Sequence, residues 1–312
     1  MKDHGILGNL HPLTKLIFLA ALMFAGLFVV LFAGMMLMVL FGTLSFEEVM
    51  VEGIGQAMAE NIWFARLLQI LNHLGLFIIS SLVFAFLVGR KPARYLKADK
   101  GPQLIPLLVS ALIMFSALPV VNFLLELNMQ LSLPEFMKGV EDWMRRTEEG
   151  AEQMIEHFLG VTTLQGLLFN IFMIAVIPAL GEEFIFRGII LRIFRQWTGR
   201  MHLAVWISAI LFSAMHLQFF GFLPRLMLGL LLGYMFVYSG NIWLPVFAHF
   251  FNNAAAVTFY FLKHNEIIRF EVEEVGLGGQ GAFLVVASIV LVVLLFRYLQ
   301  WSMRQSNQNS GL

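Results

Sequence analysis

Glu182, Glu183, Arg187, His216, His249 and Asn253 all stand inside otherwise apolar stretches of the second half of the chain. An ionised side chain at membrane depth costs about 2.5–3.5 kcal/mol on insertion scales, so such residues usually face a bundle interior and mark function. Glu183 and Arg187 are four apart, which places acid and base on one helical face as a pair. Glu182 points about 100° away from them, leaving one carboxylate neutralised within its own helix and the other free. His249 and Asn253 are also four apart and present an imidazole and a carboxamide to one side. A carboxylate, two imidazoles and an amide on three apolar helices form an inventory for hydrolysis. A glutamate can take a proton from water, and a histidine can pass it to a leaving amine. Donors aimed at the developing oxyanion stabilise the transition state. Ser208 and Ser213 fit close helix packing better than nucleophilic catalysis. Histidines with glutamates also suit zinc, but HExxH is absent, the ligands would come from three helices, and an asparagine ligand is uncommon.

The elements that must hold these residues are membrane helices. With 59% hydrophobic residues, 13% charged and a mean hydropathy of +0.82, the chain of 312 residues has too few polar side chains to clothe a water-soluble surface. It contains no cysteine, which excludes disulfides and thiolate metal sites. Apolar windows long enough to cross about 30 Å of hydrocarbon fall at 14–42, 63–89, 103–125, 164–186, 202–217, 222–239, 243–262 and 281–300. The first is far longer than a signal-peptide core and reads as a retained span. The expected fold is all-α, a single polytopic membrane bundle over residues 1–312 with about eight transmembrane helices.

Lys and Arg concentrate in short cytoplasmic loops. Arg90, Lys91, Arg94, Lys97 and Lys100 mark one such loop, Arg187, Arg192, Arg195 and Arg200 another, and Arg297 and Arg304 the tail. The acidic loops, with Glu47, Glu48, Glu52 and Glu60 and with Glu266, Glu271, Glu273 and Glu274, fall on the opposite side. Both termini are thus expected in the cytoplasm. Segment 126–163 alternates Phe136, Val140, Trp143, Met154 and Phe158 with acids at helical spacing, as an amphipathic helix on a surface does. Asn72 and His73 are expected to make a helix–helix hydrogen bond, and His157, His202 and His264 to meet water near the interfaces.

The patterns EExxxR at 182–187, FxxxH from Phe212 to His216 and HxxxN from His249 to Asn253 resemble the CPBP family of CAAX proteases and bacteriocin-processing enzymes, also called Abi, which includes the eukaryotic type II CAAX prenyl endopeptidase. The resemblance covers 164–260, the expected catalytic core. It implies an intramembrane endopeptidase with its site inside the bundle near the cytoplasmic face and a cavity open to the cytoplasm. It assigns Glu182 as the base that activates water, His216 as its partner, and His249 and Asn253 to the oxyanion. Glu183 and Arg187 would tune the base, and Phe212 would pack beside it. The substrate would be a membrane-associated protein or peptide, of CAAX or bacteriocin-processing type, met in a bacterial plasma membrane among lipids. No nucleic-acid partner and no cofactor are expected. The alternatives are a zinc metalloprotease using the same residues, a non-catalytic membrane scaffold or immunity protein, and a transporter, though no inverted repeat is found.

Overall fold

The computed structural model of the protein describes residues 5–41, 58, 61–279 and 281–309, with side chains to residue 305. The acidic segment containing Glu47, Glu48, Glu52 and Glu60 lies outside the described residues. The described residues form helices joined by short turns: α1 (Pro12–Leu40), α2 (Ile62–Gly89), α3 (Leu104–Met129), α4 (Lys138–Leu159), α5 (Leu164–Thr198), α6 (Met201–Ala214), α7 (Phe222–Ser239), α8 (Trp243–His264) and α9 (Gly281–Asn309). Asn61 caps α2 by accepting from the backbone N–H groups of Trp63 and Phe64, and Thr163 caps α5 by accepting from Gly166. Six helices, α1, α2, α3, α5, α7 and α9, are long and apolar enough to cross a membrane. α6 has 14 residues, and α8 has 22 but is not among the six. Helices therefore occur at all eight expected places, and a polytopic helical membrane bundle is the architecture. Side chains such as Phe24, Phe28, Phe32, Phe283 and Leu294 point outward, where lipid replaces water as the apolar solvent.

One boundary differs from expectation by several turns. The fourth span does not stop at 186 but continues to Thr198 as one 35-residue helix. Arg187 consequently sits in no loop: it is wholly buried within α5. The helix can carry a guanidinium there because Glu183, one turn earlier, neutralises it.

The ends of the bundle are chemically different. At one end fall Lys15, Arg90, Lys91, Arg94, Lys97, Lys100, Arg192, Arg195 and Arg200, where helix ends and loops are joined by a few local contacts. The Asn241 amide donates to the Lys100 carbonyl over 3.0 Å, and the Trp243 indole N–H to the Ala98 carbonyl over 3.1 Å. Arg192 donates to the Tyr95 carbonyl, its guanidinium 4.4 Å above the Tyr95 ring. At the other end lie α4 and the segment 265–279, rich in acids. There Asn265 donates to the Val161 carbonyl over 3.2 Å, and Asn122 to the Val272 and Val275 carbonyls over 2.8 and 2.9 Å. α4 docks by its apolar side: the Trp143 ring lies 5.2 Å from Phe219, and the Glu148 carboxylate accepts from the Phe220 N–H over 2.8 Å. Burial and the neighbouring Glu148, Glu156 and Glu149 push the Glu152 carboxyl up from its usual range, whereas the hydrogen bond from Arg145 draws Glu141 down.

Close backbone approach fixes α1 against α2. Glycines occupy both sides of the crossing, and a Cβ on Gly75 would stand 2.6 Å from the Gly26 carbonyl oxygen. Small residues are what let membrane helices approach this far. Gly75 follows His73 by two residues, so this crossing also sets the position of that imidazole. Gly75→Ala is expected to lower stability by about 1–3 kcal/mol through overpacking. Gly139→Ala, where a Cβ meets open space, should change little; thermal unfolding in detergent compares the two.

Candidate active site

Three departures from regular winding surround the centre of the bundle. α2 widens into a π-helical stretch at Leu74–Ile79, just after His73. α5 does so twice, at Ile171–Val176 and Phe186–Ile190, bracketing Glu182 and Glu183. Such widened turns recur at functional sites because they re-aim side chains within an otherwise regular helix. Pro178 adds to this. It has no N–H to give the Ile174 carbonyl one turn back, and Asn253 of α8 supplies a donor instead, its side-chain amide lying 3.2 Å from that oxygen.

Glu183 is the electrostatic centre. Its Oε1 accepts from Arg187 Nη1 over 2.7 Å and lies 2.9 Å from His249 Nδ1. Arg187 Nη2 donates onward to the Gly229 carbonyl of α7 over 2.9 Å, and the guanidinium stacks 4.7 Å above the Phe212 ring of α6. One charged group thereby ties four helices together. Because a carboxylate only accepts, His249 donates through Nδ1, and its Nε2 is turned toward Glu182, 3.9 Å from Oε2. Phe212 closes this side, its ring 5.8 Å from His249 and 5.1 Å from His216.

Glu182, buried on the adjacent face of α5, has a different set of neighbours. His73 Nε2 is 3.6 Å from its Oε1, and Oε2 has no hydrogen-bond partner within the protein. A carboxylate with free lone pairs and imidazoles close by is suited to accept a proton. Glu182 also lines a cavity of about 800 Å³ together with His73, His216, Asn253 and Arg225. His216 Nδ1 lies 2.9 Å from the Phe212 carbonyl. A carbonyl can only accept, so this fixes the proton on Nδ1 and leaves Nε2 of the neutral ring as an acceptor.

The structure thus brings Glu182, Glu183, Arg187, Phe212, His216, His249 and Asn253 to one region. His249 and Asn253 do share a face, yet His249 is committed to the two glutamates, whereas Asn253 holds the Ile174 carbonyl and keeps its second N–H. Arg225 is a residue that sequence reasoning passed over, and His73 is one it expected only in a helix–helix hydrogen bond. His73 does bridge helices as an ordinary interhelical contact would, but its partner is Glu182. The signal was present as Arg66, Gln69 and His73, polar residues spaced along one apolar span. Arg225 donates to the Gln218 carbonyl over 3.0 Å and to the Gln218 side-chain oxygen in the cavity wall; its position at the start of α7 resembles an interfacial charge in sequence. Among the described residues no three His, Cys, Asp or Glu side chains converge in a geometry that would hold a metal ion.

Comparison with known proteins gives two similarities. An uncharacterized protein of Bacillus subtilis (strain 168), YpbD, is 27% identical over 89 residues, equal to 27% of this chain and 42% of the relative. The chain thus covers less than half the length of that relative. No solved structure matches. Residues 164–255 match the family model described as type II CAAX prenyl endopeptidase Rce1-like, in keeping with the CPBP resemblance of the motifs in that segment.

Proposed function

We propose that this chain is an intramembrane endopeptidase that hydrolyses a peptide bond of a membrane-associated protein or peptide by a metal-independent glutamate mechanism, with 164–260 as its catalytic core. The protease class has its support in the Rce1-like segment. The observation that favours the mechanism is Glu182: a buried carboxylate at the wall of the cavity with one oxygen unpartnered, flanked by imidazoles from α2 and α8. In this reading Glu182 takes a proton from water as the water oxygen attacks the scissile carbonyl carbon. The resulting tetrahedral oxyanion is stabilised by the spare Asn253 N–H and by His249. His216 carries the proton to the departing amine nitrogen as the C–N bond breaks. Glu183 and Arg187 hold His249 in its orientation without meeting the substrate, and His73 holds Glu182.

Glu182→Gln preserves shape and removes the base. Cleavage of a peptide panel that includes a farnesylated CAAX peptide is expected to fall by about 10²–10⁴-fold, while the protein stays folded. Ordinary turnover by the variant would overturn the mechanism. A chelator should leave wild-type cleavage intact; loss restored by zinc would put the metalloprotease reading in its place.

Arg187→Lys keeps the charge but cannot reach Glu183 and the Gly229 carbonyl together. It should lower kcat/KM at least about tenfold, or roughly 1.4 kcal/mol of transition-state stabilisation. Wild-type kinetics would demote the pair to simple charge compensation.

His73→Phe should lower kcat with KM little changed and move the acidic limb of the pH–rate profile, whereas His73→Gln, which keeps a donor toward Glu182, should recover part of the loss. An unaltered profile in both variants would show that His73 is packing alone.

A further inference from the structure

The cavity that reaches Glu182 has a closed end and an open one. Toward the basic end, the side chains that follow the site along the chain are packed solid: Phe84 of α2, Leu96, and Ile185, Phe186, Ile189 and Leu191 of α5 are each at most 1% exposed. The cavity lining runs the other way. It passes Met173 and Pro178 on α5 and Ala255, Phe259 and Tyr260 on α8, then meets Met154 and Phe158 of α4 and finally Glu273, which is exposed to solvent. Glu182 lies about 27 Å along α5 from Leu164 and about 24 Å from Thr198 at 1.5 Å per residue. The site is therefore at mid-depth, and its path leads to the acidic end.

The sign of that end follows from the chain itself. The end sealed by the apolar core carries the short basic loops, with Asp99 the one carboxylate among the described residues there. The end where the cavity opens carries Glu126, Glu135, Glu141, Asp142, Glu148, Glu149, Glu152, Glu156, Glu266, Glu271, Glu273 and Glu274 among fewer basic residues. Lys and Arg in short loops near helix ends stay in the cytoplasm.

We infer that the substrate reaches Glu182 from the extracytoplasmic side, so the bond cut belongs to an exported peptide or to the outward segment of a membrane-anchored protein. The nature of the cut rests on the proteolytic reading above; the side of entry rests on packing and charge alone. The direction is opposite to the cytoplasmic opening that the family resemblance implies, and a soluble prenylated protein of the cytosol would meet the sealed end.

The absence of cysteine from the sequence makes the test direct. Ala255→Cys puts a sole thiol in the cavity wall, Glu274→Cys one at the acidic end and Lys100→Cys one at the basic end. Each full-length variant is treated with a charged, membrane-impermeant thiosulfonate in right-side-out spheroplasts and in inverted vesicles. Modification of Ala255→Cys and Glu274→Cys in spheroplasts and its loss in inverted vesicles, with the reverse for Lys100→Cys, is the expected result. Ala255→Cys modified in the same orientation as Lys100→Cys, modified in neither, or modified together with Glu274→Cys only in inverted vesicles would each overturn the inference. Labelling needs no turnover, so an inactive preparation sinks the proteolytic reading without touching this one.

Discussion

A single buried ion pair organises the centre of this bundle. Glu183 and Arg187 sit where neither could remain charged alone, since an isolated ion in low dielectric loses several kcal/mol of hydration. Paired one turn apart, they neutralise each other inside one helix and spend their remaining contacts on others: His249 of α8, the Gly229 carbonyl of α7 and the Phe212 ring of α6. The price of burying charge is thus converted into geometric constraint on three neighbouring helices. An apolar pair of equal volume could pack as tightly but would leave the His249 ring without a fixed orientation.

The adjacent carboxylate illustrates how one residue of rotation separates two environments. Glu182 shares its sequence neighbourhood with Glu183 but meets a cavity instead of a guanidinium. The widened turns in α5 and the backbone gap left by Pro178 make this separation workable. They loosen the regular spacing around the two acids, and Asn253 restores the hydrogen bond that the proline withholds.

Much of the architecture was legible from hydropathy, because each span needs an apolar run of a length set by the bilayer. The six polar motif residues stood out because polar side chains in such runs are rare and a spacing of four defines a face, whereas Phe212 was picked out only by the family resemblance. Other features were hidden for physical reasons. Arg187 reads as the first charge after a span, since a sequence cannot show that Glu183 neutralises it and lets the helix run on to Thr198. His73 lies on a distant span, and only tertiary packing brings it within 3.6 Å of Glu182. The depth and direction of the cavity are likewise properties of packing: α4 reads as a surface helix from its amphipathic spacing, yet Ala151, Met154 and Phe158 form part of the cavity wall.

The apolar plug beneath the site has a meaning for the membrane as well as for the reaction. A hydrolytic centre requires water well inside a barrier whose task is to exclude it, and a water column crossing from face to face would conduct protons. The packed layer from Phe84 through Ile189, with Leu96 folded over it, ends the polar path at mid-depth. In the proposed protease, water reaching the carboxylate at mid-depth would stop at a layer of phenylalanine, isoleucine and leucine, which would keep the electrochemical gradient across the membrane insulated.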